Sequence, residues 1–406
     1  MGDAEILREL GARYFDIANS DENSVNIERH KAVNDLKGDR PIVLIDEIPW
    51  KEMNINGELT LQCEQVFFRD IEWSLRTELF RWKHLRGDMV VRPYYGVQKI
   101  IHTTGIGVQR KESEHDTHAM AVTFEDQFTS EADLEKLKFE TITYDEKATR
   151  ERYEKVADAL GESLPVKICG ESTGYGLGCK TWDDIVFFKS LDTLFYDLVD
   201  EPEFMHSLVG KLTDIFLNKI EQYNVLGLFD SDAYYNHCTS ALTNDLRPNH
   251  DHTTSDGVWG RGLAQIFASV SPDMHKEFDT DYMIRAMAPF GLVYYGCCEP
   301  LHKKIDILSE IPNLRKISIT PWADVDEATD IMKNRYVMAN KPSPSFLAEA
   351  TLDEDGVRKE IARTVNACKR NGCSCDIVLK DISTVAGKPE NLIRWENIAM
   401  EIVRSF

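Results

Sequence analysis

The sequence contains no hydrophobic run long enough to cross a membrane, since a transmembrane helix needs about 20 consecutive apolar residues. Its first residues also lack the basic start and the apolar core of a signal peptide. From these two absences we expect a cytoplasmic protein that has no membrane partner.

Positive charge is also scarce in this chain. Across 406 residues, 47 lysines and arginines stand against 69 aspartates and glutamates, which gives a formal net charge of −22. This balance argues against a nucleic-acid partner, because nucleic-acid phosphates require a basic protein surface. The nine cysteines, in an acidic chain without an export signal, are expected to be reduced thiols, as in the cytoplasm.

The second part of the chain alternates between strand-like and helix-like segments. Apolar runs followed by polar residues predict strands at 224–229, 291–295, 315–319, 336–339 and 376–379, with a weaker candidate at 263–267. Helical patterns lie between or after them at 301–311, 325–333, 353–371 and 389–404. This alternation predicts a parallel sheet with right-handed crossovers, and the number of units favours a (β/α)8 TIM barrel in the α/β class.

The first part of the chain has a different pattern. Helical periodicity at 3–18 and 64–83 flanks a short apolar strand that ends in Asp46 and Glu47. We therefore predict that residues 1–150 form a mainly helical extension or cap. Residues 151–406 are predicted to form the barrel with the catalytic region, in one compact unit with the extension.

The most informative segment is 294–300, which contains Cys297, Cys298 and Glu299. It follows a predicted strand, and in parallel α/β folds ligands and catalytic groups collect at the carboxyl ends of strands. Thiolates bind zinc or Cu(I), so the segment is a candidate soft-metal site. The alternative is a pair of small buried thiols beside an ordinary loop acid.

A second polar segment follows the predicted strand that ends at residue 229. It contains Asp230, Asp232, His237 and Cys238. A carboxylate, an imidazole and a thiol in one loop can supply metal ligands or a general acid. A solvated polar loop is the alternative interpretation.

A third segment, 250–252, has the sequence His-Asp-His. Alternate residues share one face of a strand and can bind a metal together there, whereas in a loop they are usually exposed. His252 is a candidate for substrate binding. The residues Asp256, Trp259 and Arg261 are further candidates for lining a substrate pocket.

Two charged residues come just after predicted strands. Lys341 follows the strand at 336–339, and Asp381 follows the strand at 376–379. Charged residues at such positions of a barrel are often functional. Lys341 can anchor a substrate anion and Asp381 can orient a ligand, while a salt bridge at the rim of the barrel is the alternative for both.

Four segments, taken in order along the chain, resemble the uroporphyrinogen decarboxylase superfamily, and in particular its corrinoid-dependent methyltransferases of the O-demethylase type. They are 200–203 (Asp-Glu-Pro-Glu) with the helix after it, 295–300 (Tyr-Gly-Cys-Cys-Glu-Pro), 337–344 (Val-Met-Ala-Asn-Lys-Pro-Ser-Pro) and 379–385 (Leu-Lys-Asp-Ile-Ser-Thr-Val). The resemblance covers about residues 150–406 and implies a TIM barrel.

The zinc enzymes of that branch carry a His-x-Cys-Gly segment at a late strand and a further cysteine after the last strand. Here the family's cysteine corresponds to Cys297, but Tyr295 stands in place of the histidine and Asp381 ends the last strand without a cysteine. Either zinc is held by a different set drawn from Cys297, Cys298, Glu299 and His237, or there is no zinc. The Arg-Gln-Ala-Gly-Arg motif of the decarboxylases is absent.

The resemblance implies transfer of a methyl group from a small O-methyl donor, such as an aryl methyl ether, or from an N-methyl donor. The acceptor it implies is the Co(I) corrinoid of a partner protein. We expect Glu299, His237 and Asp381 to act in catalysis. A homodimer is a candidate assembly of the protein. We expect a second set of residues to bind the substrate. The substrate-binding set is Lys341, His252, Asp232 and Trp259. Two alternatives remain: a decarboxylase of a small acid, which predicts several convergent arginines or lysines, and a non-catalytic binding barrel.

Overall fold

The computed structural model describes residues 2–112, 124–172, 177–246 and 252–406. Across these ranges, no helix combines the length and the apolar character that crossing a bilayer requires. The α-helices are α1 (Asp3–Ala18), α2 (Asp21–Asn34), α3 (Val66–His84), α4 (Glu146–Leu160), α5 (Thr181–Ile185), α6 (Leu191–Asp200), α7 (Pro202–Val225), α8 (Pro272–His275), α9 (Asp281–Met287), α10 (Ile305–Leu308), α11 (Val325–Met332), α12 (Glu354–Asn371) and α13 (Pro389–Arg404).

The strands are β1 (Ile42–Ile45), β2 (Tyr95–Gln98), β3 (Ile101–Thr103), β4 (Ile142–Tyr144), β5 (Val166–Cys169), β6 (Tyr235–Asn236), β7 (Thr239–Ser240), β8 (Trp259–Gly262), β9 (Leu292–Tyr295), β10 (Leu314–Ile319), β11 (Val337–Asn340) and β12 (Cys375–Leu379). Six of them form one central sheet in the order β1-β12-β11-β10-β9-β8. Every neighbouring pair in this sheet is parallel. The predicted α/β class with a parallel sheet is therefore confirmed.

The predicted closed barrel of eight strands is not formed as one continuous sheet by the described residues. The strand β5 pairs with β2 in a separate parallel sheet. Two isolated parallel bridges extend the pattern, one between Glu171 and Phe229 and one between Cys179 and Gly262. The second bridge joins the segment at Cys179 to the end of β8, beyond the edge of the six-stranded sheet.

The sheet is covered by helices whose ends follow from the local sequence. The helix α7 begins with Pro202 in its first turn, where the missing backbone N–H removes no intrahelical hydrogen bond. The Asp353 side chain caps α12 by accepting a hydrogen bond from the backbone N–H of Gly356. Gly372, with a φ of 64°, ends the same helix in the left-handed region.

The residues 224–311 differ most from the prediction. A helix predicted over 301–311 is limited to Ile305–Leu308, and the candidate strand at 263–267 is a 3-10 helix, Gln265–Ser269. The strand of this region is instead Trp259–Gly262, whose two glycines hide the pattern of a strand. Because the residues of β8 are all buried, they lie in the sheet rather than in a solvated loop.

The first part of the chain also contributes to the sheet. The strand β1 lies within the range predicted as an extension, and it pairs with β12 from Ile42 opposite Asp376 to Ile45 opposite Leu379. The extension is therefore joined to the sheet by backbone hydrogen bonds. This pairing carries Asp46 and Glu47, which follow β1, to the edge where β12 ends.

Replacing Gly170 by alanine is expected to destabilise the fold by about 1–3 kcal/mol, because a Cβ there would lie 2.2 Å from the carbonyl oxygen of Leu228 and backbone atoms cannot easily move. The matched control is Gly210→Ala in α7, whose Cβ would lie 3.7 Å from Tyr282. That change is expected to stabilise the helix by roughly 0.5–1 kcal/mol. Urea denaturation measures both, and equal free energies of unfolding would contradict this account of Gly170.

Candidate functional site

Polar residues from three strands meet at one edge of the sheet, beyond the carboxyl ends of β9, β12 and β1. The Sγ of Cys298, after β9, lies 3.7 Å from a carboxylate oxygen of Asp381, after β12. The strands β10 and β11 lie between β9 and β12 in the sheet. Three strand spacings of a flat sheet would separate them by roughly 14 Å. The short contact therefore indicates that the sheet curves strongly around this edge.

The two adjacent thiols of this edge are coupled. The Sγ atoms of Cys297 and Cys298 lie 3.6 Å apart, and both side chains are partly exposed. The hydrogen bond from Cys298, followed by the charges of Lys380 and Arg261, lowers the pKa of Cys297 to about 7, although burial acts in the opposite direction. The same hydrogen bond raises the pKa of Cys298. Near pH 7, Cys297 is therefore about half thiolate, while Cys298 stays a thiol.

Lys380 connects the thiols to two carboxylates. Its Nζ lies 4.0 Å from the Sγ of Cys297, 3.2 Å from Asp381 and 3.8 Å from Glu47. Burial disfavours its charge, but the surrounding thiols and Glu47 outweigh burial and raise the pKa of Lys380. The lysine therefore stays charged although it is only 4% exposed.

Glu47 and Asp381 form a carboxylate pair around this ammonium. The backbone N–H of Asp381 donates to Glu47 over 2.9 Å. Burial, followed by the hydrogen bond with Asp381, raises the pKa of Glu47. For Asp381, burial is the largest single cause and acts to raise the pKa, but the hydrogen bond from Glu47 and the charge of Lys380 together outweigh it and lower the pKa. Two neighbouring carboxyl groups with opposite pKa shifts can share one proton, as a general acid does.

Three cations act on the imidazole of His237 at the same edge. Burial is the largest cause, and the charges of Arg261, Lys380 and Lys341 add to it, so that the pKa of His237 is lowered to about 3. The imidazole is therefore neutral at physiological pH. It can accept or donate a hydrogen bond, but it does not act as an imidazolium acid.

The backbone of this site is strained. Glu47, His237 and Asp381 have φ values of 50°, 58° and 56°. Residues other than glycine rarely adopt this left-handed region, and each such residue costs of order 1–3 kcal/mol. Backbone strain of this kind clusters at functional sites, and here three instances come from three separate segments of the chain. Of the eight non-glycine residues with a positive φ in the described part of the chain, three therefore lie at this charged edge of the sheet.

Glu299 lies beneath the thiols and is 1% exposed. Its Oε2 accepts a hydrogen bond from the backbone N–H of Cys297 over 2.8 Å, which fixes the loop. Its Oε1 is buried and has no hydrogen-bond partner among the described residues. Burial raises the pKa of Glu299, which favours a protonated carboxyl group.

Tyr295, which stands where the resemblance would put a histidine ligand, is engaged in a buried network. Its hydroxyl donates to Asp279 over 2.5 Å and lies 2.8 Å from Nε2 of His275. Lys304 lies 3.1 Å from Nδ1 of the same imidazole. Because the tyrosine proton goes to Asp279, the imidazole donates from Nε2 and accepts at Nδ1. The network fixes Tyr295 behind the sheet edge.

A metal centre requires at least three converging ligands. Within the described part of the chain, no group of three or more histidine, cysteine, aspartate or glutamate residues is arranged to hold a metal ion. One carboxylate oxygen of Glu299, Oε2, is engaged by the backbone N–H of Cys297. The set of Cys297, Cys298, Glu299 and His237 therefore does not fit a zinc centre as it is arranged.

The four residues predicted to bind substrate are engaged by other parts of the protein. Lys341 is 3% exposed and its Nζ donates to the Sγ of Cys238 over 3.2 Å. Asp232 accepts from the hydroxyl of Tyr94 and from Lys167, away from the thiols. These side chains are occupied by protein contacts, so any role in binding substrate stays a prediction.

The other two residues predicted to bind substrate, Trp259 and His252, also contact backbone carbonyl oxygens of the protein. Trp259 is buried in β8 and its Nε1 donates to the carbonyl oxygen of Ala241 over 2.8 Å. The exposed imidazole of His252 lies 2.9 Å from the carbonyl oxygen of Asn224, near the end of α7. Its neighbours at 250 and 251 lie outside the described residues.

Sequence reasoning gave no role to Glu47 or Lys380 and considered Arg261 only as a pocket residue. A signal was present for two of them, since Glu47 and Lys380 each lie within two residues of the end of a buried strand. Arg261 lies inside a glycine-rich strand that has no strand-like pattern. Only the fold brings these three residues together, because they come from the beginning, the middle and the end of the chain.

Alkylation of Cys297 by iodoacetamide is expected to accelerate with rising pH and to level off above an apparent pKa of about 7, since the thiolate is the reacting form. The other cysteines, apart from Cys298, are buried. Peptide mass spectrometry identifies the modified residue. In Cys298→Ala, the hydrogen bond is lost and the profile should shift toward about 8.5. An unshifted profile in this variant would contradict the coupling of the thiols.

Comparisons with known proteins give little information on identity. No protein-family model matches the chain, and no curated protein matches it in sequence. Among solved structures, a methyltransferase from Methanosarcina mazei superposes with a TM-score of 0.47 at 11% sequence identity, over 93% of this chain and 98% of that chain. A likeness this distant identifies neither the family nor the reaction.

Proposed function

We propose that this protein is a methyltransferase that moves a methyl group from a small O-methyl or N-methyl donor to the Co(I) corrinoid of a partner protein. The observation that carries the proposal is the meeting of Cys297, Lys380, Asp381 and Glu47 at the carboxyl edge of the sheet. Three of these come from the segments on which the resemblance rests. We interpret the curved sheet with its two bridges as an incompletely closed barrel whose mouth is this edge.

The chemistry requires that the methyl carbon be held toward the acceptor and that the leaving oxygen or nitrogen be stabilised. A Co(I) corrinoid is a strong nucleophile that supplies the electron pair for the new bond to carbon. The electron pair of the broken C–O or C–N bond stays on the leaving atom. We assign the proton for that atom to the Glu47 and Asp381 pair, and the stabilising positive charge to Lys380.

The remaining residues of the edge have supporting roles in this proposal. Glu299 fixes the loop of Cys297, and it is a second carboxyl group with a raised pKa. The neutral imidazole of His237 orients the donor by a hydrogen bond. No step passes through zinc, because the predicted ligands do not fit a metal centre as they are arranged.

A donor screen tests the proposal. Aryl methyl ethers and methylated amines are each incubated with the protein, with and without free cob(I)alamin, and the demethylated product is measured by mass spectrometry. We expect product from at least one donor, and only when the acceptor is present. Absence of demethylation across the whole panel would count against methyl transfer.

A second candidate function is the decarboxylation of a small acid. The observation that favours it is the convergence of Arg261, Lys341 and Lys380 on His237, because convergent cations are what a carboxylate substrate requires. This candidate predicts release of CO2 from a small acid without any corrinoid. Measuring CO2 in the same incubations separates the two functions.

An exposed tryptophan at the same edge is a candidate contact for the partner protein. Trp322 follows β10 closely and is 77% exposed. Large exposed aromatic side chains are enriched among residues that dominate protein interfaces. We expect Trp322→Ala to raise the KM for the corrinoid protein by about tenfold or more while leaving the rate with free cob(I)alamin unchanged. An equal loss with both acceptors would contradict a docking role.

A further inference from the structure

We propose that a second cavity, distinct from the thiol edge, binds a small aromatic carboxylate. This tyrosine cavity has a volume of about 290 Å³ and lies between the helices α1 and α3, the strand β2 and the segment before His237. Its lining includes Tyr14, Tyr94, Tyr95, Tyr234, Arg81 and Arg92. The inference does not depend on the proposed methyl transfer.

The size and the walls of the tyrosine cavity suit a flat ring. A volume near the lower limit of ligand pockets, roughly 300 Å³, restricts the occupant to about one ring with a short substituent. Tyrosine side chains offer flat apolar faces with a polar hydroxyl at the tip. A cavity enclosed by several of them therefore favours an aromatic molecule over an aliphatic one.

The lining also includes Glu78, whose carboxylate is paired with Arg81, so the unpaired positive charge of the cavity is that of Arg92. Its guanidinium lies 5.0 Å from the centre of the Tyr234 ring, and no carboxylate of the described residues forms an ion pair with it. The other arginine is engaged, because Arg81 donates to Glu78 over 3.0 Å and to the carbonyl oxygen of Ile45 over 2.9 Å. A guanidinium without an ion-pair partner in a cavity presents a planar set of donors that matches a carboxylate.

The wall beside Arg92 is held in place before any ligand arrives. The hydroxyl of Tyr94 donates to Asp232 over 2.6 Å, and Lys167 lies 3.1 Å from the same carboxylate oxygen. Asp232 is therefore paired with a lysine and forms no ion pair with Arg92. A rigid wall lowers the entropic cost of binding. This arrangement gives Asp232, which the sequence predicts as a substrate-binding residue, an indirect role in a different cavity.

Calorimetric titration of the full-length protein with benzoate tests the inference, with benzamide as the neutral probe of the same shape and acetate as the probe without a ring. We expect benzoate to bind at least about tenfold more tightly than either of the other probes, since only benzoate offers both the ring and the charge. Absence of benzoate binding, or equal binding of all three probes, would overturn the proposal.

Variants locate the binding. Arg92→Met is expected to weaken benzoate binding by about tenfold or more. The matched control is Arg110→Met, which removes another arginine that lies over an aromatic ring, 3.4 Å from the centre of Phe187, outside this cavity. If Arg92→Met fails to fold, Ser74→Trp, which fills the cavity from an exposed position on α3, should abolish binding instead.

The thiol edge also carries cations, so a third variant separates the two sites. Lys380→Met should leave benzoate binding unchanged if the tyrosine cavity is the site. Loss of binding in Lys380→Met with retention in both Arg92→Met and Ser74→Trp would place benzoate at the thiol edge and overturn the proposal. Methyl transfer does not enter these measurements, so the proposed function can fail while this inference stands.

Discussion

Lys380→Met is expected to slow methyl transfer by about 100-fold or more, because removing a preorganised charge beside a leaving group commonly costs that much. The ammonium lies 3.2 Å from Asp381 and 3.8 Å from Glu47, and it also lies beside the Cys297 thiolate. Without it, the carboxylate pair and the thiolate repel one another. The pKa of Cys297 should then rise above its value of about 7.

Two measurements check this expectation together. The first is the rate of methyl transfer, and the second is the pH dependence of Cys297 alkylation. The matched control is Lys388→Met, which removes an exposed lysine that donates to the carbonyl oxygen of Ala350. If Lys380→Met melts at the wild-type temperature and transfers methyl groups at the wild-type rate, the charge of Lys380 has no part in the reaction.

Lys316→Met is expected to cost about 3–5 kcal/mol of folding free energy, because it leaves a buried carboxylate without its partner. The Nζ of Lys316 lies 2.6 Å from Asp376, and the side chains are 1% and 0% exposed. The lysine also donates to the Thr239 hydroxyl and to the carbonyl oxygen of Ser240, both over 2.8 Å. The pair thus fastens the β6-β7 hairpin to the central sheet.

The control for this prediction is the double variant Lys316→Met with Asp376→Leu. Removing both charges leaves no unpaired ion, so the double variant should recover a large part of the loss. Urea denaturation gives the free energies of unfolding. A single variant that costs less than the double variant would contradict the interpretation that the unpaired carboxylate causes the loss.

The sequence predicted regular elements well where one periodic pattern dominates. The helices over 3–18 and 389–404 have the predicted bounds, and the strands β9 to β12 lie within one residue of prediction. It failed where glycine or short helical turns interrupt the pattern, as in β8, and where the proline at 300 leads into irregular turns before α10. Closure of the barrel depends on the tilt and stagger of the strands around the whole sheet, which local periodicity does not encode.

The sequence also predicts only part of the candidate site, because it shows where strands end but not which residues lie opposite one another. A strand end is visible in the sequence, so Cys297, Cys298, Glu299 and Asp381 could be singled out. The partner across the edge was not visible, because Glu47 is more than 300 residues from Asp381 and reaches it only through the pairing of β1 with β12. Likewise, the sequence gives no sign that Lys341 bonds to Cys238.

Methylation of free cob(I)alamin, followed by absorbance, tests the central claim most directly. A donor from the panel of methyl ethers and methylamines is mixed with cob(I)alamin and wild-type protein, Lys380→Met or Lys388→Met. We predict methylcobalamin in proportion to demethylated donor with wild type and Lys388→Met, and a rate about 100-fold lower with Lys380→Met. No methylcobalamin from any donor, or equal rates for wild type and Lys380→Met, would contradict the account.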